Sequence, residues 1–389
     1  MDKIKESVLR HKETVVALRR HFHQHPEVGG EEFATQARII EELTALGLSP
    51  KKIADTGVIA DLKGAHPGKM VALRADIDAL PIQDEIDKPY RSTVPGKCHA
   101  CGHDAHTAML LTLARVFTDL KDEIHGTIRL MFQPSEERFP GGAERMVAAG
   151  CMEGVDYVLG AHVWQPLPAG KIGISYGRTM AAPDQFTIFV QGKGGHGSMP
   201  QGTVCALSTG AEIVSMLNSI LGRNVNPLES AVVSLGSFHS GEVFNIIPDT
   251  AEIKGTVRTF DDSVRKLVWD RFDEICAGVC SAMGATYTVD KVFGYPAVIN
   301  NPEIAAVVAE AGRETAGAEA VIEIGPSMGG EDFSYFMQKA PGMFLMLGGG
   351  NPATDAIYPH HHPKFDIDDS VLPIGVETFA RATFKLLAR

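Results

Sequence analysis

Apolar and polar positions follow two periods along this chain, and the switch between them marks its elements. A period near 3.6 runs through residues 3–24 and again through 31–46, where Gly47 closes the pattern, so both stretches are predicted helical. Short β-rich runs follow at Gly57–Lys63, Met70–Ala75, Gly126–Gln133, Asp156–Ala161 and Lys171–Tyr176. A strongly apolar helix, Asp104–Leu120, is predicted between the second and third of them. Strands mixed with helices in this way predict an α/β sheet covered on both faces.

Between Pro183 and Tyr295 the rhythm changes. Strand Gln185–Gln191, helix Gly202–Leu221, strands Ser230–Phe238 and Thr250–Thr259, helix Asp262–Met283 and strand Thr286–Val292 give the order βαββαβ, the ferredoxin-like unit. Helices at 302–315 and 331–339, the strand Met343–Leu347 and a helix from about 371 then return to the first pattern. The chain therefore reads as a discontinuous mixed-sheet α/β/α domain, 1–182 and 296–389, with a small domain, 183–295, inserted into it. No internal repeat or low-complexity tract interrupts this order.

Composition narrows the field. A chain of 389 residues exceeds one ordinary core, which agrees with two domains. A formal net charge of −12 argues against nucleic acid and anionic membrane as partners, since both select basic surfaces. No apolar run approaches a membrane span, and the opening MDKIKESVLRHKET lacks the apolar core of a signal peptide, so a cytoplasmic chain is expected. The six cysteines do not form a disulfide framework in a chain this long; Cys276 and Cys280, one helical turn apart, read as core thiols.

Chemistry collects after the strands. Ligands of open α/β sheets bind outside the carboxyl ends of the strands. Asp76 and Asp78 follow Met70–Ala75, Glu136 and Glu137 follow Gly126–Gln133, and His162 ends Asp156–Ala161. His360, His361 and His362 follow Met343–Leu347 after a loop, and the loop KCHACGHDAH (97–106) leads into the apolar helix. Each alone is commonplace, but five segments aimed at one sheet edge are a site. Thiolate, imidazole and carboxylate together fit Zn²⁺ or a neighbouring transition ion better than Mg²⁺ or Ca²⁺. Cys101, His103, Glu137, His162 and one C-terminal histidine make five donors, too many for one open tetrahedral site and suited to two ions with a bridge. Glu136, beside a ligand yet not required to be one, is the natural general base.

Three motifs compete. Cys98 and Cys101 form a CxxC, but no second CxxC exists and the His-rich continuation suits a metal loop. Gly173–Gly177 matches GxSxG, yet no helix pattern follows Ser175, as a nucleophile elbow requires. Gly192–Gly197 matches GxGxxG, the basis for a distant alternative, an NAD-binding oxidoreductase. Pro200 falls where that motif needs a helical amide, and no acid ends the next strand. The glycines are expected instead to let the backbone turn so that His196 projects into a cleft.

RADIDALPI (74–82), CHACGHDAH (98–106), QPSEE (133–137), AHVWQ (161–165), GKGGHGSMP (192–200), NIIPDTAEIKGTVRTF (245–260), GGEDFSYF (329–336) and HHPKF (361–365) run through nearly the whole chain. Together they resemble the amidohydrolase branch of the co-catalytic metallopeptidases, which includes hippurate hydrolases, N-acyl-amino-acid amidohydrolases and auxin-conjugate hydrolases. The resemblance implies hydrolysis of an N-acyl amino acid by two divalent transition-metal ions (Zn, Mn, Co or Ni). A dipeptidase or carboxypeptidase, or an N-acetyldiaminopimelate deacetylase, would use the same site. It implies Cys101 as a bridging ligand with His103, Glu137, His162 and, two residues before a proline, His361. It further implies Glu136 as base, His196 as an oxyanion donor, Asn245 and Arg258 as holders of the substrate carboxylate, and Asp78 as support for a ligand imidazole. The inserted domain would then be a lid through which a homodimer forms. The chain departs from the branch at His362, where Ser is common, at Gly197 and Ser198, where GHAA is usual, and at Arg138, Phe139 and Pro140, which replace small residues after the glutamates.

Overall fold

The computed structural model describes residues 2–389. The chain divides into two compact units, Met1–Thr179 with Ile299–Gly325 and Asp332–Arg389, and Met180–Val298 with Pro326–Glu331. The short excursion Pro326–Glu331 belongs to the second unit, whereas the sequence pattern keeps it with the first.

The large unit is built on one mixed sheet. Across it the strands run Lys51–Ile53, Gly57–Lys63, His125–Gln133, His66–Asp76, Tyr157–Pro168, Gly342–Gly350, Ile172–Ile174 and Val321–Glu323. The four strands from His125–Gln133 to Gly342–Gly350 are mutually parallel, and antiparallel pairs lie outside them. Gly342–Gly350 is buried at eight successive positions, the mark of a strand covered on both faces. Helices Lys12–Gln24, His103–Asp119, Pro302–Ala316 and Leu372–Leu387 pack together and share one apolar core with the sheet. No helix among the described residues is long and apolar enough to cross a membrane.

Several elements differ from the sequence pattern. The predicted helix over 3–24 is two helices, Lys3–Arg10 and Lys12–Gln24, because His11 leaves helical geometry at φ −99° and ψ 9°. The strand expected to end at Ala161 continues to Pro168, which places His162 inside it. The helix expected over 331–339 is the single turn Ser334–Met337.

In the smaller unit the four-stranded antiparallel sheet runs Ala231–His239, Thr250–Thr259, Ala182–Gln191 and Thr286–Val292. Helices Ala206–Leu217 and Asp262–Met283 pack on it, completing βαββαβ. Phe186, Ile188 and Val190 point into that core while Gln185, Phe189 and Gln191 are exposed, the period of a one-sided sheet. The predicted helix Gly202–Leu221 begins only at Ala206 and breaks into Ala206–Leu217 and Ser219–Arg223.

A buried ionic cluster ties the first helices to the donor loop. His23 contacts Asp104 through Nδ1 (2.8 Å) and Asp84 through Nε2 (3.2 Å), and Arg19 reaches Asp104 (3.2 Å), Asp366 and Asp369 (2.6 Å). Burial alone would push His23 down, but the Asp104 and Asp84 carboxylates outweigh it and carry the ring up to about 9. That folded value lies above the unfolded one of about 6.5, so the stabilisation, on the order of 3 kcal/mol, is complete below about pH 6.5. It disappears as pH climbs through about 9. Denaturation midpoints should therefore fall between pH 7 and 10, and His23→Gln should be less stable at pH 7 with a flatter profile over that range. Equal pH slopes in the two proteins would contradict this.

Candidate metal centre

Register brings the donors to one level. Arg74 pairs with both Met131 and Gly160 on its two parallel neighbours, so Asp76, Gln133 and His162, two residues on, stand side by side. Met346 pairs with His162 on the next strand. Behind this row Arg74 binds Gln133 (2.7 Å), Asp76 (2.7 Å) and Asp332 (3.1 Å), and Gln133 donates to both Asp332 oxygens at 2.7 and 2.8 Å. The network is fully buried and fixes the strand ends.

Gly102 lets the donor loop enter its helix. It has φ +89°, and a Cβ there would lie 2.3 Å from Val163 Cγ2, so no other residue fits between Cys101 and His103. Cys101 Sγ lies 3.3 Å from His162 Nε2, and these two share a cluster with His103 in which the potential ligand atoms are all within 4.8 Å. Cys101, Glu137 and His361 form a second such cluster, and His103, Glu136 and Glu137 a third. His361 Nε2 stands 3.1 Å from Glu137 Oε1.

Asp78 links the clusters: Oδ1 contacts His103 Nδ1 at 3.2 Å and Oδ2 accepts the Glu137 amide at 3.0 Å. His103 Nε2 is buried with no hydrogen-bond partner among the described residues, and lies 3.6 Å from Asp76 Oδ2 and 4.0 Å from Glu137 Oε1. A buried imidazole oriented by a carboxylate at one nitrogen, with the other free of hydrogen bonds and faced by carboxylates, suits a cation. The donor set therefore fits divalent metal ions.

Neighbouring histidines are committed elsewhere. His106 contacts Asp76 through Nδ1 (2.5 Å) and accepts the Val163 amide at Nε2 (2.8 Å). His360 Nε2 contacts the Val163 carbonyl oxygen at 2.9 Å, and its ring stacks on Trp164. His362 stacks on Tyr358 and accepts the Lys364 amide. Of the three C-terminal histidines, His361 alone joins a donor cluster, with a left-handed φ of +64°.

Electrostatics follow the packing. Burial, with Glu137 and Glu136 nearby, pushes the Cys101 thiol well above its usual range. Burial would raise Asp76, but the Arg74 guanidinium and the His103 and His106 rings hold it well below the carboxylate range. Burial, helped by His106 and His360, keeps His162 low and hence neutral, with a lone pair to offer.

In the smaller unit, Gly195–His196 pairs antiparallel with Ile246–Ile247. None of Gly192, Gly194, Gly195 and Gly197 has a positive φ, so they do not serve to turn the chain. They permit close approach: a Cβ on Gly192 would meet Val204 O at 2.2 Å, and one on Gly195 would meet Thr203 Cγ2 at 2.6 Å. The segment continues into the 3₁₀ turn Pro200–Gly202, not a helix, so it lacks the anion-binding helix start of a dinucleotide site. His196 is exposed, and its Nδ1 accepts from the Ser198 amide at 3.1 Å, leaving the proton on Nε2. Asn245 lies beside this hairpin, its carbonyl accepting the Gly197 amide. Arg258 is half-buried on Thr250–Thr259, with Nε donating to Thr256 Oγ1 at 3.1 Å.

The other motifs are structural. Ser175 is buried and bonded to Thr179 (2.6 Å) and Asn300 (3.2 Å), with no base against it among the described residues. Cys98 is a buried free thiol on a bridge to Leu80, raised to about 12 by burial. Arg138 reaches the Gly29 carbonyl at 3.3 Å.

Residues 72–385 match the model of peptidase family M20/M25/M40. The chain belongs to that family. This M20 chain is 49% identical over 303 residues to the N-acyl-L-amino acid amidohydrolase of Geobacillus stearothermophilus, covering 78% of this chain and 82% of the relative. It is 41% identical to thermostable carboxypeptidase 2 of Saccharolobus solfataricus, over 99% of this chain and 98% of the relative. The solved YXEP protein of Bacillus subtilis, a dinuclear metal-binding M20 peptidase, superposes with a TM-score of 0.83 at 32% identity, over 97% of this chain and 98% of that one.

Proposed function

We propose that this M20 enzyme hydrolyses the amide bond of N-acyl amino acids, releasing a carboxylic acid and a free amino acid. The observation that carries the reading is the adjacency of Glu136 to a mixed Cys, His and Glu donor set, in a chain similar to an N-acyl-L-amino acid amidohydrolase. Cys101, His103, Glu137, His162 and His361 would hold two divalent ions of the Zn, Mn, Co and Ni group. Such ions, when bound, supply Lewis acidity toward the scissile carbonyl and make water more acidic.

The chain's own residues do the rest. Glu136 takes a proton from the attacking water and delivers it to the departing nitrogen, so that acid and amine leave with their protons balanced. Asp78 orients His103. His196, with its proton on Nε2, donates to the oxygen on which charge develops. Asn245 and Arg258 hold the carboxylate of the amino acid, a task suited to a guanidinium fork. The inserted domain acts as a lid and joins two copies in a homodimer. The substrate is a small molecule, with no role for nucleic acid or membrane, and the cytoplasm is the proposed compartment.

The likeness to a carboxypeptidase favours a second reading, cleavage of a C-terminal peptide bond by the same groups. One panel separates them: amine release by metal-loaded protein from N-acetyl and N-benzoyl amino acids, dipeptides and N-acetyldiaminopimelate. The acylated amino acids should react fastest, and Arg258→Ala should raise their KM about 10- to 100-fold, the worth of one charge-assisted hydrogen bond. No release from any member of the panel would sink the proposal.

A further inference from the structure

Glu32 is a fully buried carboxylate that accepts hydrogen bonds from neutral amides and hydroxyls. Oε1 accepts from the Ser135 amide (2.8 Å) and hydroxyl (3.3 Å), and Oε2 from the Gly30 amide (2.7 Å) and Thr56 hydroxyl (2.6 Å). Its place in the chain makes this unusual. Glu32 immediately precedes helix Phe33–Ala45, where a side chain ordinarily caps the helix's free amides. It makes no such bond. The amides of Ala34 and Thr35 are taken instead by Glu27, at 3.1 and 2.8 Å, which leaves Glu32 free to reach a loop 103 residues away.

What it holds there is strained. Ser135 has φ +55°, in the left-handed region that costs a residue with a side chain about 1–2 kcal/mol. Its carbonyl accepts the Gly142 amide at 3.1 Å, and the Glu137 amide two residues on is held by Asp78. Gly29 closes the grip: a Cβ there would lie 3.2 Å from Ser135 Cα and 3.3 Å from Asp78 Oδ2. The segment before the helix is thus packed against the turn that carries Glu136 and Glu137.

We infer that Glu32 is a positioning residue for the Glu136–Glu137 loop, its carboxylate holding Ser135 in the left-handed turn that aims Glu136. This rests on the reading of Glu136 as the base. Glu32→Ala should lower kcat about 10²-fold, the effect of misplacing a reacting group by about an ångström. KM should change less than about twofold, and metal content should match the wild type. Glycine adopts the left-handed conformation freely, so adding Ser135→Gly should restore kcat about tenfold over Glu32→Ala alone.

The measurements are kcat and KM per folded molecule, metal content and thermal midpoint of the purified full-length proteins. A role in stability alone would lower the midpoint and leave kcat per folded molecule unchanged. That result, or a double variant no faster than Glu32→Ala, overturns the inference. Should Glu32→Ala not fold, Glu32→Asp carries the same test, because it keeps the charge and shortens the reach. Loss of about tenfold in kcat, regained with Ser135→Gly, supports the inference, and wild-type kcat overturns it. Wild-type activity in Glu136→Gln defeats the base reading itself; an inactive Glu136→Gln beside a fully active Glu32→Ala defeats only the role of Glu32.

Discussion

Glu136→Gln should cut kcat about 10³-fold while leaving metal content and fold unchanged. The residue is 9% exposed, and its carboxylate lies within 4.8 Å of the potential ligand atoms of both His103 and Glu137. Glutamine has nearly the same volume and keeps one oxygen acceptor, but it cannot take a proton. The variant therefore removes the proton transfer, together with the carboxylate's charge, at nearly constant volume. Because that transfer occurs in the transition state, KM should move far less than kcat. Glu136→Asp, with its carboxylate drawn back by one methylene, should retain part of the activity. Steady-state kinetics with metal quantified on the same samples decide it. A glutamine variant within tenfold of wild-type kcat, metal-loaded and folded, would falsify the assignment.

The sequence made the periodic elements legible. Gly57–Lys63, Thr250–Thr259, Asp262–Met283 and Thr286–Val292 form as their patterns predict, because each is long enough for an apolar period to show which face is buried. Lys51–Ile53 and Gly195–His196 are too short to show a period, and their existence depends on partners distant in sequence. Around the donors, residue types were readable, since sulfur, imidazole and carboxylate cluster after the strands. Their orientation was not. That Asp76 engages His106 and Asp78 engages His103 depends on side-chain geometry across the sheet edge. Glu32 looks like an ordinary helix-boundary residue until Glu27 is seen to take its capping role. The glycines of 192–197 likewise invite a turn reading, and only the carbonyl of Val204 and the side chain of Thr203 reveal close approach as their purpose.

Stripping the metal ions with a chelator should abolish turnover and lower the thermal midpoint, with both restored by adding back a divalent ion. The physical ground is His103. Its Nε2 is sealed from solvent without a hydrogen-bond partner, while burial's downward pull on the ring is overridden by Asp76 and Asp78, which carry it up to about 10. A proton and a cation therefore compete for that nitrogen. Asp78 biases the contest toward the cation, because its carboxylate takes the Nδ1 proton while its other oxygen fixes the Glu137 amide. Asp78→Asn cannot do both. With its amide nitrogen toward His103 it donates to Nδ1 and forces the proton onto Nε2; turned the other way, it faces the Glu137 amide with a second donor. Either arrangement should weaken metal affinity about 10- to 100-fold, and turnover should recover as metal is added in excess. Titration of metal-stripped wild type and Asp78→Asn, following bound metal and activity together, measures both effects. Undiminished activity in wild-type protein shown to be metal-free would remove the basis for a metal-dependent site.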